Sequence, residues 1–152
     1  MKIFIENEAG YPKKNIFNEK TFEYIETLDV ARAYPYPYGF ILNTTAADGD
    51  NIDAFILTDQ ILKKGQIVDC EPIGLMEQYE KSWNQSNIEE VDHNVLVVLK
   101  GEKNKSIDEA VKTKLTNFVT HVFDNIQKNK TRVGQFLDKP HAEEHIKKHE
   151  DG

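Results

Sequence analysis

Up to Lys100 the chain reads as short runs of β-branched and aromatic residues, and no helical period intervenes between them. The runs cover 2–6, 22–27, 38–43, 54–58, 66–77 and 95–99, separated by turn chemistry at Asn18-Glu19-Lys20, Asp48-Gly49-Asp50-Asn51 and Lys63-Lys64-Gly65. Short strands without crossover helices predict a mainly β fold closed into a small barrel or a sandwich, and not a parallel sheet. Closure would also remove exposed strand edges. From Ser106 the period changes. Ile107, Val111, Leu115, Phe118, Val119, Val122, Phe123 and Ile126 are spaced by three or four, as in a long helix with one apolar stripe. Ser106 and Glu109 read as a capping box at its start. After Asp138 a short polar helix is predicted, entered through Pro140 and carrying His141, His145 and His149 at four-residue steps.

The 152 residues suit one domain, with a barrel over about 1–100 and a helical part over about 106–150. Nineteen Lys and Arg against 26 Asp and Glu leave a formal charge of −7, which argues against nucleic acid or an anionic membrane as a partner. A chain this acidic must bring in local cations to hold an anion. One cysteine, Cys70, cannot close an internal disulfide, and a lone thiol points to a reducing, cytoplasmic setting. Glu6 follows the first apolar residues too soon for a signal peptide. No apolar run approaches the ~20 residues that span a bilayer.

The densest chemical feature is Asp48-Gly49-Asp50-Asn51-Ile52-Asp53, three carboxylates on a turn that leads into Ala54-Phe55-Ile56-Leu57. Crowded carboxylates repel one another, and a hard divalent cation relieves that repulsion. A solvated acidic turn and a metal site both fit the spacing. An EF-hand does not, because Asp53 stands where that loop needs glycine and Asp59 where it needs glutamate. A second acidic segment runs through Glu77, Glu80, Glu89, Glu90 and Asp92 to the strand at Val95, with Glu89 and Glu90 read as surface charge. Tyr34-Pro35-Tyr36-Pro37-Tyr38-Gly39-Phe40 reads as a rigid corner that delivers aromatics to the core. His141, Glu144 and His145 match an inverted zinc-peptidase pattern, but too little chain follows for the third ligand, so a polar helix is the reading. Cys70 is expected to be buried and inert.

Taken together, Tyr34-Pro35-x-x-Tyr38-Gly39-Phe40-Ile41 and Asp48-Gly49-Asp50-x-x-Asp53 resemble the soluble, metal-dependent inorganic pyrophosphatases. The resemblance extends through Ile5-Glu6, Lys14, Gly74-Leu75-Met76 and Asp92. It implies a five-stranded barrel of the OB type with helices packed outside, magnesium or manganese as cofactor, and hydrolysis of diphosphate to two phosphates. By the same resemblance, Asp48, Asp53 and Asp92 would be metal ligands, with Glu80 and Glu6 as further metal-binding groups. Asp50 would accept a proton from the attacking water, and Lys14 and Tyr38 would contact the substrate. Bacterial members form hexamers, and His121 lies on the helix region they use.

Glu80 stands where the family has a metal-binding aspartate, followed by a longer loop through Trp83 and Asn87, and the further departures fall on the phosphate-binding groups. Glu26 stands where the family has an arginine, Asn94 where it has a lysine, and Val122 and Phe123 where it has a tyrosine and a lysine. Removal of one such donor typically costs ~3 kcal/mol of transition-state stabilisation, about a hundredfold in rate. Arg32, which shares strand parity with Glu26 if that strand continues, and Lys130, which with Lys128 and Arg132 ends the long helix, are the candidate substitutes for substrate binding, Lys128 and Arg132 being read as surface charge. Two functions therefore compete: a phosphoanhydride hydrolase, slow or altered in substrate, and an inactive binding or assembly module on the same scaffold. An oligonucleotide-binding barrel would need a basic aromatic face that this chain lacks.

Overall fold

The computed structural model describes residues 1–81, 88–126 and 130–152. Within them the order is β1 (Lys2–Asn7), β2 (Lys13–Phe17), β3 (Tyr24–Asp29), β4 (Tyr38–Ile41), β5 (Asp53–Ile56), β6 (Ile67–Lys81), β7 (Glu89–Val91), β8 (Asn94–Leu99), α1 (Glu109–His121), β9 (Lys130–Asp138) and α2 (Lys139–Lys148). Pairing runs β1-β4-β5-β8-β6 and returns from β6 to β1, so five strands form a ring. The length of β6 makes this possible. Its residues 67–69 pair with β1 and 70–76 with β8, and its far end carries β7 and β9. Register shifts near Pro72 and Gly74 and between Met76 and Gln78 let one strand bend through these partners. The β2–β3 hairpin is a separate two-stranded unit, docked through Phe17 and Phe22 on Phe4 at ring separations of 5.0 and 5.1 Å.

The mainly β architecture with two helices agrees with the sequence reading, but three local expectations do not survive. β5 and β8 pair in parallel, because the chain between them leaves through β6 and β7 and returns in the same direction. Such strands are covered on both faces and read as continuous apolar runs, which is how Ala54-Phe55-Ile56-Leu57 and Val95-Leu96-Val97-Val98 read. The helix does not run past Lys130. It ends at His121, where the Val122 carbonyl accepts from the Ala31 N–H at 2.8 Å, and 130–138 is the strand β9. β9 lies outside β6 with no fully buried residue, so its sequence carries little apolar signal. The cap of α1 is Asp108, whose carboxylate accepts from the Val111 N–H at 2.9 Å, and not Ser106. β2 and β7, short and largely polar, also lacked a readable pattern.

Two packed clusters fill the interior. Ile3, Ile5, Ile41, Ala54, Ile56, Val95 and Val97 meet Ala142 and Ile146 of α2. Phe55, Leu57, Met76, Leu96 and Val98 meet Leu115, Phe118, Val119 and Val122 at α1. Adjacent residues of β5 and β8 thus feed opposite clusters, the period-two alternation of a strand buried on both sides. The Tyr-Pro corner behaves as read: Tyr34 and Phe40 are buried, and Tyr34 packs on Phe118 at 4.5 Å. Gly39 is required by close approach, since a Cβ there would stand 1.8 Å from the Phe4 carbonyl oxygen. Cys70 is buried, and burial pushes its thiol up to about 12.

Candidate active site

The α1-facing cluster becomes a pocket where its strands turn polar at one end. On β5 the alternation passes from Phe55 to Asp53, ahead of β8 it passes from Leu96 to Asn94 and Asp92, and on β6 it passes from Met76 to Gln78 and Glu80. Asp53 and Asn94 are in register across the parallel pair. These residues, with Lys14, Tyr38, Asp48, Asp50 and the α1-end residues Phe118, Val119, Val122 and Phe123, line a pocket of about 280 Å³.

The loop before β5 is held by its own backbone. The Asp50 N–H donates to the Asp48 carboxylate at 3.0 Å, Gly49 takes a positive φ of 89°, and Ala46 N–H donates to the Asp50 carbonyl at 2.7 Å. Asn51 anchors the loop through its side-chain donation to the Ile41 carbonyl at 3.0 Å. Asp48 and Asp50 are exposed on this loop. Asp53 is half-buried in the pocket wall. Burial, then the neighbouring Asp92, Glu6 and Glu19, hold its carboxyl well above the usual range. Burial likewise pushes Asp92 up to about 7, with Glu80 and Asp48 adding to the effect, and it raises Glu80. Glu6 does not line the pocket but is buried within electrostatic reach of Lys14, and burial pushes it up to about 8 against that lysine's pull.

Lys14 is the one cation in the described lining. Its Nζ lies 5.8 Å from the centre of the Tyr38 ring and 5.7 Å from that of Phe123. The Tyr38 hydroxyl is kept protonated by burial and by Asp53 and Asp92. The two proposed substitute cations do not reach the pocket. β3 ends at Asp29, so the strand parity invoked for Arg32 is broken, and its guanidinium folds back onto the Ala31 carbonyl at 3.0 Å. Lys130 starts β9 opposite Lys81 and is exposed, away from the lining. Lys128, Trp83 and Asn87 lie outside the described residues. Glu26 is exposed on β3 and is not a lining residue, whereas Asn94, Val122 and Phe123 are.

Elsewhere the surface readings hold. Glu89 pairs with Arg132 through two contacts of 3.1 Å. His141 is tied to Asp138 at 2.6 Å, while His145 packs between His93 and His149, so the zinc-peptidase pair points to separate neighbours. Sequence reasoning missed Glu19 and Gln78. The Glu19 carboxylate accepts from the Asn51 N–H at 3.0 Å and ties the β2–β3 turn to the acidic loop; burial, with Asp50 next, pushes it up to about 7. Its only sequence signal was a turn. Gln78 could have been found from its parity with Glu80.

The arrangement is an all-oxygen acidic wall, the donor chemistry of hard divalent cations. Among the described residues no three His, Cys, Asp or Glu groups surround one metal position.

A family model described as inorganic pyrophosphatase matches residues 3–151. An inorganic pyrophosphatase of Wigglesworthia glossinidia brevipalpis is 29% identical over 116 residues, 74% of this chain and 65% of that protein. One of Saccharolobus solfataricus is 26% identical over 153 aligned positions, 97% of this chain and 88% of that protein. The crystal structure of an inorganic pyrophosphatase from Neisseria gonorrhoeae superposes with a TM-score of 0.84 at 23% identity, covering 98% of this chain and 88% of that one. With the family model matched over nearly its whole length, the chain belongs to the inorganic pyrophosphatase family.

Proposed function

We propose that the pocket hydrolyses inorganic diphosphate to two phosphates with bound magnesium or manganese. The observation that carries this reading is the meeting of Asp48, Asp50, Asp53, Glu80 and Asp92 with Lys14 and Tyr38 in one pocket. Asp48, Asp53 and Asp92 would hold the metal, with Glu80 beside them and Glu6 acting from beneath the lining. When bound, the ions would lower the pKa of an attacking water and offset the negative charge of the substrate. Asp50, exposed on its loop, is free to accept the proton that water releases. Lys14 and the protonated Tyr38 hydroxyl donate to phosphoryl oxygens. Phe118, Val119 and Val122 line one side of the pocket with apolar surface, which strengthens the charged contacts beside it.

In this reading the five-strand ring is a closed barrel of the OB type, and residues 1–152 form one domain. The assembly is a homo-oligomer, a hexamer by family resemblance, that includes the His121 face of α1. No helix among the described residues is long and apolar enough to cross a membrane. The lone Cys70 and the charge of −7 support a cytoplasmic protein without a nucleic-acid partner.

Asn94, Val122 and Phe123 in the lining favour a second reading, a cation-binding assembly module without chemistry. Phosphate release from diphosphate, measured with magnesium or manganese and repeated in excess chelator, separates the two. Metal-dependent release is expected. A folded protein that binds the metal and releases no phosphate from diphosphate supports the module.

A further inference from the structure

Gln78 and Asn94 form a buried neutral pair in the lining of the pocket, each less than a tenth exposed. The Asn94 amide nitrogen lies 3.4 Å from the Asp92 carbonyl oxygen and 2.6 Å from Gln78 Oε1. A backbone carbonyl only accepts, so it fixes which end of the Asn94 amide faces inward. That end is a donor, and it in turn fixes Gln78 with Oε1 towards Asn94. The backbone of Gln78 is held independently, its N–H donating to His93 Nδ1 at 3.0 Å. With Oε1 taken by Asn94, the two N–H donors of Gln78 Nε2 have no hydrogen-bond partner among the described residues, and the side chain that carries them lines the pocket. Donors held in this way at a pocket wall are available to a bound anion.

We infer that Gln78 Nε2 is a substrate-binding donor for a phosphoryl oxygen, and that Asn94 is its positioning residue. This rests on the reading of the pocket as a diphosphate site. A neutral amide offers direction without charge. Beside a described lining with one cation, Lys14, it would discriminate by geometry and leave charge neutralisation to the metal ions.

The test pairs two substitutions and uses KM, kcat and calorimetric binding of inorganic phosphate with magnesium. Gln78→Met keeps the volume and removes the donors. It is expected to raise KM for diphosphate and weaken phosphate binding, each about tenfold, with a smaller change in kcat. Asn94→Asp replaces the donor facing Gln78 by an acceptor, which turns the Gln78 amide over and presents Oε1 to the anion. Its effect is expected to equal or exceed that of Gln78→Met on the wild-type background and to shrink on the Gln78→Met background. Thermal melts of each variant separate these effects from unfolding, and magnesium binding without phosphate is expected to persist in Gln78→Met. Wild-type turnover with KM and phosphate binding in Gln78→Met within about twofold of wild type would overturn this inference alone. So would Asn94→Asp losses that are the same on both backgrounds. A wild-type protein that binds neither phosphate nor diphosphate with magnesium would overturn it together with the proposed function.

Discussion

On the side built from the starts of β5 and β8 and the loop before β5, the pocket presents Asp48, Asp50, Asp53 and Asp92. On the side built from the end of α1, it presents Phe118, Val119, Val122 and Phe123. By the resemblance read from the sequence, Asp48, Asp50, Asp53 and Asp92 match the family pattern, whereas Val122 and Phe123 put apolar surface where that pattern has donors. On the proposed function, the difference separates the part of the chemistry that needs charge from the part that can be replaced. A carboxylate set binding a hard cation has no simple neutral substitute, because oxygen charge is what the ion requires. Donors to a phosphoryl oxygen can be exchanged for amides or dispensed with at a graded loss of rate.

The sharpest way to break this contrast is to remove Asp50. Asp50→Asn is expected to lower kcat by about 10²–10⁴-fold, read by phosphate release with the fold checked by circular dichroism, as for a general base. A change of less than about threefold would show that the acidic side does not carry the chemistry. Lys14→Met comes next, with an expected loss of about a hundredfold in kcat/KM, since it removes the one cation in the described lining. Restoring the helix side works in the opposite direction. Phe123→Lys is expected to raise kcat/KM by up to about tenfold. Glu26→Arg, exposed on β3 and outside the lining, is expected to change it by less than about twofold. Equal gains from both would mean that the hairpin reaches the substrate.

Stability offers a further contrast between the two sides. Glu6 is raised to about 8, and Glu19 and Asp92 to about 7, all by burial first. In each case the folded protein holds its proton to higher pH than the unfolded chain does. Stability is then greatest near the unfolded carboxyl values and falls as the pH rises towards about 8. In chelator, the melting temperature is expected to be higher at pH 5.5 than at pH 8, and magnesium is expected to restore more of it at pH 8. A melting temperature that climbs between those values would contradict the burial of these carboxyls. The smallest effect is expected at the surface, where Glu89→Ala breaks the exposed pair with Arg132 and should barely move the melting temperature.

Much of the acidic side was legible because its residues are close in sequence: the loop at 48–53 carries its own turn chemistry and three carboxylates. Asp92 was legible only through the family resemblance, which has an aspartate just before the following strand. The failures share a cause in tertiary pairing. Arg32 looked aligned with Glu26 only while β3 was extended past Asp29, and Lys130 looked helical because the stop at Val122 depends on a hydrogen bond from distant Ala31. Gln78 carried no charge and matched no motif, yet its alternation with Met76 and Glu80 already placed it on the pocket face. The parallel pairing of β5 and β8, which brings Asp53 beside Asn94, left no trace beyond two apolar runs.

The claim that most depends on the acidic side is that its carboxylates take up divalent ions and through them the anion. Calorimetric titration of magnesium at pH 8, with and without inorganic phosphate, tests it in the wild-type protein and in Asp53→Asn. The account predicts saturable magnesium binding that tightens with phosphate and is lost in the variant. Magnesium binding that is absent from the folded wild-type protein, or identical in Asp53→Asn, would contradict it.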